Sequence, residues 1–74
     1  MGKGTHGLSN RLRDLRQRHG GMTQQALADR VGVTRQTVNA IEGNKYSPSL
    51  EVAFLIAQVF GVRVDDVFAY GPKP

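Results

Sequence analysis

Seventy-four residues suffice for one small domain and exclude two separate cores, since domains typically run ~50–250 residues. No cysteine is present, which removes disulfides, thiolate metal sites and thiol nucleophiles. The longest apolar run, residues 52–57, falls far short of the ~20 residues of a membrane span. Ten Lys and Arg stand against six Asp and Glu, a net charge of +4, and the excess is uneven: residues 1–45 carry eight bases and three acids, residues 46–74 two bases and three acids. That imbalance points to a polyanionic partner for the first part of the chain, although many small basic domains are merely soluble.

In chain order, the opening residues are polar and glycine-rich. Residues 1–8 are therefore expected to be a flexible arm rather than a secretory leader. Leu8, Leu12 and Leu15 recur at helical spacing, with Arg11, Arg13, Asp14, Arg16 and Arg18 on the other face. Ser9 or Asn10 can cap this segment and Gly20-Gly21 can stop it, which predicts a helix over 10–19. Thr23 caps a second helix of about eight residues, in which Ala26, Leu27 and Val31 share a face before Gly32 ends it. Thr34 caps a third, 34–42, with Val38 and Ile41 inward and Gly43 at its close.

Residues 43–48 concentrate turn formers and lead to a cap at Ser47 or Ser49. In a fourth helix over 49–60, Leu50, Ala53, Phe54 and Ala57 fall at i, i+3, i+4 and i+7, with Ile56 and Phe60 widening the stripe. Gly61 ends it. Val64, Val67 and Phe68 accompany a short fifth helix over about 64–69, with Asp65 and Asp66 at its positive end. No segment shows period-2 alternation. The expected fold is all-α, a compact five-helix domain over 9–70 with a frayed tail over 71–74 and no low-complexity tract.

The informative stretch is Gln24 to Ile41. Two short helices joined by Gly32-Val33 can cross steeply over one shared core. Ala28 is small where they approach most closely, Gly32 can adopt the left-handed conformation that ends the first, and Val31, Val33, Val38 and Ile41 are apolar where the angle must be buried. Together these positions specify a helix-turn-helix. A helix in the DNA major groove reads bases from its first turn, and Arg35, Gln36 and Asn39 fall on the exposed face of the third helix. Arg can bond guanine bidentately and Gln or Asn adenine. Arg35 and Gln36 are thus the primary candidate base readers, with Thr37 and Asn39 at the margins; the alternative is that such side chains only solubilise a helix.

Residues 23–42, Thr-Gln-Gln-Ala-Leu-Ala-Asp-Arg-Val-Gly-Val-Thr-Arg-Gln-Thr-Val-Asn-Ala-Ile-Glu, resemble the helix-turn-helix of the phage repressor/Cro-like regulators. The resemblance continues through Lys45, Pro48-Ser49-Leu50-Glu51, Phe60-Gly61-Val62 and Val67-Phe68, so it covers roughly residues 9 to 70. It is similar in particular to small stand-alone members that have no effector domain. The resemblance implies a phosphate-contacting role for Gln24, which could also brace Gln36. It further implies an ion pair between Arg16 and Glu42 that would make Glu42 structural. Thr34, Asn44, Lys45 and Tyr46, at or just after the ends of the third helix, are candidate phosphate contacts; for Lys45 and Tyr46 an ordinary solvated loop is the competing reading. Arg11, Arg13 and Arg18 either add long-range attraction or form a solvated helix face. Two departures from the family pattern stand out. The turn His19-Gly20-Gly21-Met22 is one residue longer than usual, and Gly43-Asn44 reverses the commoner order.

Enzyme readings find little support. His6 and His19 are isolated from other ligands, Ser47 and Ser49 have no activating base, and the glycines of the arm do not lie between a strand and a helix. No cofactor, metal or small-molecule effector is expected. The sequence thus predicts a cytoplasmic, sequence-specific double-stranded DNA-binding transcriptional regulator, a repressor that blocks polymerase at its operator. A module this small is expected to act as a homodimer on a palindromic site. Val64, Phe68 and Tyr70 could supply the dimer face or merely close the monomer's core. The competing function is a protein-interaction module of the same fold, antitoxin-like or regulator-binding.

Overall fold

The structure is a computed structural model that describes residues 7–71, so expectations for residues 1–6 and 72–74 lie outside the described residues. In order it contains β1 (Leu8–Asn10), α1 (Leu12–Arg18), α2 (Gln24–Val31), α3 (Arg35–Glu42), α4 (Leu50–Phe60), α5 (Val64–Val67) and β2 (Phe68–Tyr70). Three helices start where a hydroxyl can satisfy an otherwise orphaned N–H. Thr23 Oγ1 accepts from the Ala26 N–H at 3.0 Å, Thr34 Oγ1 from Thr37 at 3.1 Å and Ser49 Oγ from Val52 at 3.1 Å. Gly32 and Gly61 end α2 and α4 at φ 79° and 68°, conformations that cost glycine nothing.

The chain departs from the all-helical expectation at its two ends. β1 and β2 pair antiparallel with Leu8 opposite Tyr70, Ser9 opposite Ala69 and Asn10 opposite Phe68. The Arg11 N–H donates to the Val67 carbonyl at 2.9 Å beyond the sheet on one side, and Gly71 N–H to Gly7 O at 3.0 Å on the other. Leu8 therefore belongs to a strand and not to the first helical stripe, and α5 stops at Val67. Asn10, expected as a helix cap, does accept from the Leu12 N–H at 3.0 Å, but from a strand position two residues before the helix.

The core is formed by Leu12, Leu27, Ala28, Val31, Val38, Ile41, Ala53, Ile56, Ala57, Phe60, Val67 and Phe68. On α4 the buried stripe runs through Ala53, Ile56, Ala57 and Phe60, not through Leu50 and Phe54, which are 73% and 52% exposed. The helix is apolar nearly all round, so periodicity alone does not say which stripe turns inward; packing against α2 and α5 selects it. Phe68 closes the core at 8% exposure. Tyr70, in contrast, is 80% exposed, and its ring passes close over Gly7.

Candidate nucleic-acid interface

The geometry of the site follows from the joint between α2 and α3. Both the Gly32 and Val33 N–H groups turn back to the Ala28 carbonyl, at 2.9 and 3.1 Å, and fully buried Ala28 lets the helices cross closely. A Cβ on Gly32 would meet nothing within 4 Å, so glycine is needed there for its backbone angle rather than for space. Leu27, Ala28 and Val31 pack with Val38 and Ile41, which leaves the opposite face of α3 outward.

That outward face carries the expected first-turn residues. Arg35 and Gln36 are exposed, and among the described residues no partner holds either side chain. The Thr37 hydroxyl is half-buried and lies 3.0 Å from Thr34 Oγ1, so both threonines are engaged in the cap of α3. Gln24 does not brace Gln36. Its Nε2 donates instead to Asn39 Oδ1 at 3.2 Å and to Glu42 Oε1 at 3.1 Å. The bond from Gln24 orients the Asn39 amide, whose Oδ1 keeps a second lone pair beside the Nδ2 donor, so the acceptor and donor that bidentate adenine reading needs are both still present.

Beneath this face lies a charged clamp. Arg16 donates from Nε to Glu42 Oε2 at 2.6 Å, from Nη2 to Oε1 at 3.0 Å and from Nη1 to the Met22 carbonyl at 2.7 Å. Both side chains are 10% exposed. The pair ties α1 to the end of α3 and leaves no unpaired negative charge beside its outer face. The long turn before α2 serves the same clamp. Gly20 and Gly21 sit at φ 74° and 72°, the Met22 N–H returns to the Arg16 carbonyl at 2.9 Å, and the Met22 carbonyl is thereby presented to Arg16.

The reversed Gly43-Asn44 order also has a structural reason. Asn44 occupies the left-handed position at φ 58°, and its N–H and that of Lys45 return to Ile41 and Ala40 at 3.0 and 2.9 Å, the paired bonds of a Schellman ending. Asn44 Oδ1 accepts from Asn10 Nδ2 at 3.0 Å, which also donates to the Ile41 carbonyl at 2.9 Å. Asn44 thus anchors the loop to β1. Lys45 and Tyr46 remain exposed.

Two residues on α1 gain a place that the sequence did not assign. A cleft of about 510 Å³ is lined by Arg13, Gln17, Gln24, Asn39 and Lys45, with the Arg16–Glu42 pair in its wall. Arg13 and Gln17 stand four apart, hence on one face of the helix, and Arg13 lies three before Arg16; that spacing was the available signal. Arg18 instead pairs with Asp14 at 3.2 Å on the solvated side, and Arg11 is exposed. His19 is a turn residue: its Nδ1 lies 3.1 Å from the Leu15 carbonyl, and its ring meets Phe60 edge-on at 4.9 Å. Among the described residues no three His, Asp or Glu side chains gather as a metal site, and no helix is long and apolar enough to cross a membrane.

A helix-turn-helix family model matches residues 12–67. The chain is 49% identical over 63 residues to an uncharacterised HTH-type transcriptional regulator of Methanocaldococcus jannaschii, covering 85% of this chain and 94% of that protein. A Bacillus subtilis HTH-type regulator is 46% identical over 61 residues, covering 82% of this chain and 91% of the relative. The match to the regulator PuuR of Escherichia coli is 30% over 64 residues, 86% of this chain but 34% of PuuR. The fold is also that of a Bacteroides fragilis protein assigned as DNA-binding, with a TM-score of 0.74 at 22% identity over 84% of this chain and 98% of the other. With the matched segment spanning α1 to α5 and the helix-turn-helix geometry in place, the chain belongs to the Cro/C1-type helix-turn-helix family of transcriptional regulators.

Proposed function

We propose that this regulator binds double-stranded DNA by laying the first turn of α3 in the major groove, with Arg35 and Gln36 as the base readers. The carrying observation is that these two side chains are exposed and unengaged on the outer face of α3, while its inner face is locked onto α2. Thr37 and Asn39 flank them. Thr34, Lys45 and Tyr46 contact phosphates on either side of the groove, as does the backbone N–H of Gln24 at the first turn of α2, since both of its Nε2 hydrogens are committed; Arg13 and Gln17 extend that set from the cleft. Asn44 serves mainly by fixing the loop that presents Lys45. The regulator works in the cytoplasm as a repressor, occupying an operator as a homodimer so that polymerase is excluded.

Selection of bound duplexes from a random pool tests this reading directly. A palindromic consensus with half-sites about one helical turn apart is expected. Arg35→Ala should relax preference at one base pair of each half-site, at a cost of about 1–3 kcal/mol, whereas Lys45→Ala should weaken all sequences alike. Recovery of no consensus, or equal behaviour of the two variants, would show that α3 does not read DNA and would favour a protein-interaction role.

A further inference from the structure

Asn10 is the residue through which three parts of the fold meet. Its backbone lies in β1 opposite Phe68, while its side chain reaches outside the sheet. Nδ2 donates to the Ile41 carbonyl near the end of α3 at 2.9 Å and to Asn44 Oδ1 at 3.0 Å, and Oδ1 accepts from the Leu12 N–H at the start of α1 at 3.0 Å. Both amide hydrogens and the carbonyl are thus engaged. We propose that Asn10 is a positioning residue for the phosphate contacts of Lys45 and Tyr46, and that through it the pairing of the two chain ends sets affinity for the DNA backbone. The proposal rests on the phosphate-contacting role of Lys45 and Tyr46.

The identity of residue 44 carries the first step. Asn44 is the one non-glycine among the described residues at positive φ, 58°, in a region that costs glycine nothing and every other residue something. Glycine would serve the backbone better, so what asparagine adds is its amide, and that amide is bonded to Asn10. The bond is not needed to end α3, because the Asn44 and Lys45 N–H groups already return to Ile41 and Ala40. What it fixes is the place of the loop against β1. Lys45 and Tyr46 follow directly and are exposed. Ordering a loop at the moment of binding costs affinity, and a loop ordered beforehand removes part of that cost.

The second step runs through the sheet. The Arg11 N–H bonds to the Val67 carbonyl and the Gly71 N–H to that of Gly7, so in an alternating antiparallel ladder Ser9 and Ala69 are the hydrogen-bonded pair between them. Both chain neighbours of Asn10, Ser9 and Arg11, are thereby tied to the C-terminal segment. Opposite Asn10, Phe68 is 8% exposed in the core, which fixes β2 in place. Asn10 is therefore held by β2 through its backbone while its side chain holds the end of α3. Lys45 depends in this way on the last strand of the chain, whose three residues include no base.

The test measures affinity for the selected duplex by fluorescence anisotropy, with Asn10→Ser, Asn44→Gly and Ala69→Pro each placed in the wild-type chain and in a Lys45→Ala, Tyr46→Ala background. Serine can still accept from the Leu12 N–H but is too short to reach Ile41 or Asn44, and glycine keeps the left-handed turn. Proline removes the Ala69 N–H from the ladder, and Phe68 before it is already extended at φ −119° and ψ 144°. Circular dichroism confirms folding at the assay temperature. In the wild-type chain Asn10→Ser and Asn44→Gly should each weaken binding about threefold to tenfold on all sequences alike, and Ala69→Pro in the same direction by less. In the Lys45→Ala, Tyr46→Ala background all three should have effects within about twofold, because the contacts they position are gone. Equal losses in both backgrounds, or no loss with Asn10→Ser and Asn44→Gly, would overturn the positioning role. Loss with Asn10→Ser but none with Ala69→Pro would overturn the link to the chain ends. Amide hydrogen exchange without DNA reads the loop by itself: the Lys45 N–H should exchange about tenfold faster in Asn10→Ser, and by a larger factor than the Val31 N–H of α2. If the wild type binds no duplex, the phosphate-contacting role fails; faster exchange at Lys45 would still show that Asn10 holds the loop, and unchanged exchange would refute that as well.

Discussion

Glu42 shows how a single residue can stand beside the exposed face of α3 and belong to the fold. Its two oxygens receive three donors, two from Arg16 and one from Gln24, at 2.6–3.1 Å. Removing one partner of a pair this buried strands the other charge, at a cost of about 3–5 kcal/mol. A domain of 74 residues has roughly 4–11 kcal/mol of stability in total at 0.05–0.15 kcal/mol per residue. Glu42→Ala is therefore expected to lower the urea midpoint sharply, and DNA affinity only in proportion to the unfolded fraction. Unchanged thermal stability with reduced affinity would make Glu42 a DNA contact instead. The pairing with Arg16 followed from family resemblance, but neither the third donor, Gln24, nor the Met22 carbonyl that completes Arg16 was readable from spacing. They meet only because two left-handed glycines fold the turn back.

At the scale of elements, helices with a hydroxyl cap and a glycine stop began and ended close to where local chemistry placed them. Thr23 and Gly32, and Ser49 and Gly61, bracket α2 and α4. The sheet was not legible. Strands of three residues are too short for alternation to register, and their pairing joins Ser9 to Ala69 across nearly the whole chain. The sheet fastens the chain ends over the core, with Phe68 as its inward residue. Phe68→Ala should cost about 3–5 kcal/mol, most or all of the stability of so small a domain. Thermal unfolding monitored by circular dichroism would report this; a loss below about 1 kcal/mol would mean that the β1–β2 sheet is dispensable for the helical body.

For the whole molecule, the uneven charge is the property with the widest reach. Five bases of residues 1–45, Arg11, Arg13, Arg30, Arg35 and Lys45, are exposed and outside the ion pairs formed by Arg16 and Arg18. With about 4–6 phosphate contacts per subunit, log affinity should fall against log salt with a slope of about −4 to −5 per subunit. Between ~50 and ~200 mM salt that is a loss of several hundredfold, measurable by fluorescence anisotropy. Arg13→Ala should make the slope shallower by about one unit, as the cleft position implies. A slope near zero would remove DNA as the partner.

Length, cap residues, apolar periodicity and the small residues at the α2–α3 joint determined by themselves that this chain folds around a helix-turn-helix and offers Arg35 and Gln36 outward. Those properties are local, fixed by backbone preferences and by one face of each helix. The tertiary structure decided which stripe of an all-round apolar α4 is buried, that Gln24 holds Asn39 and Glu42 rather than Gln36, and that Arg13 shares a cleft with Lys45. Each of these depends on groups from separate elements meeting in space, and a one-dimensional pattern cannot encode which of several equally apolar or equally polar neighbours is met.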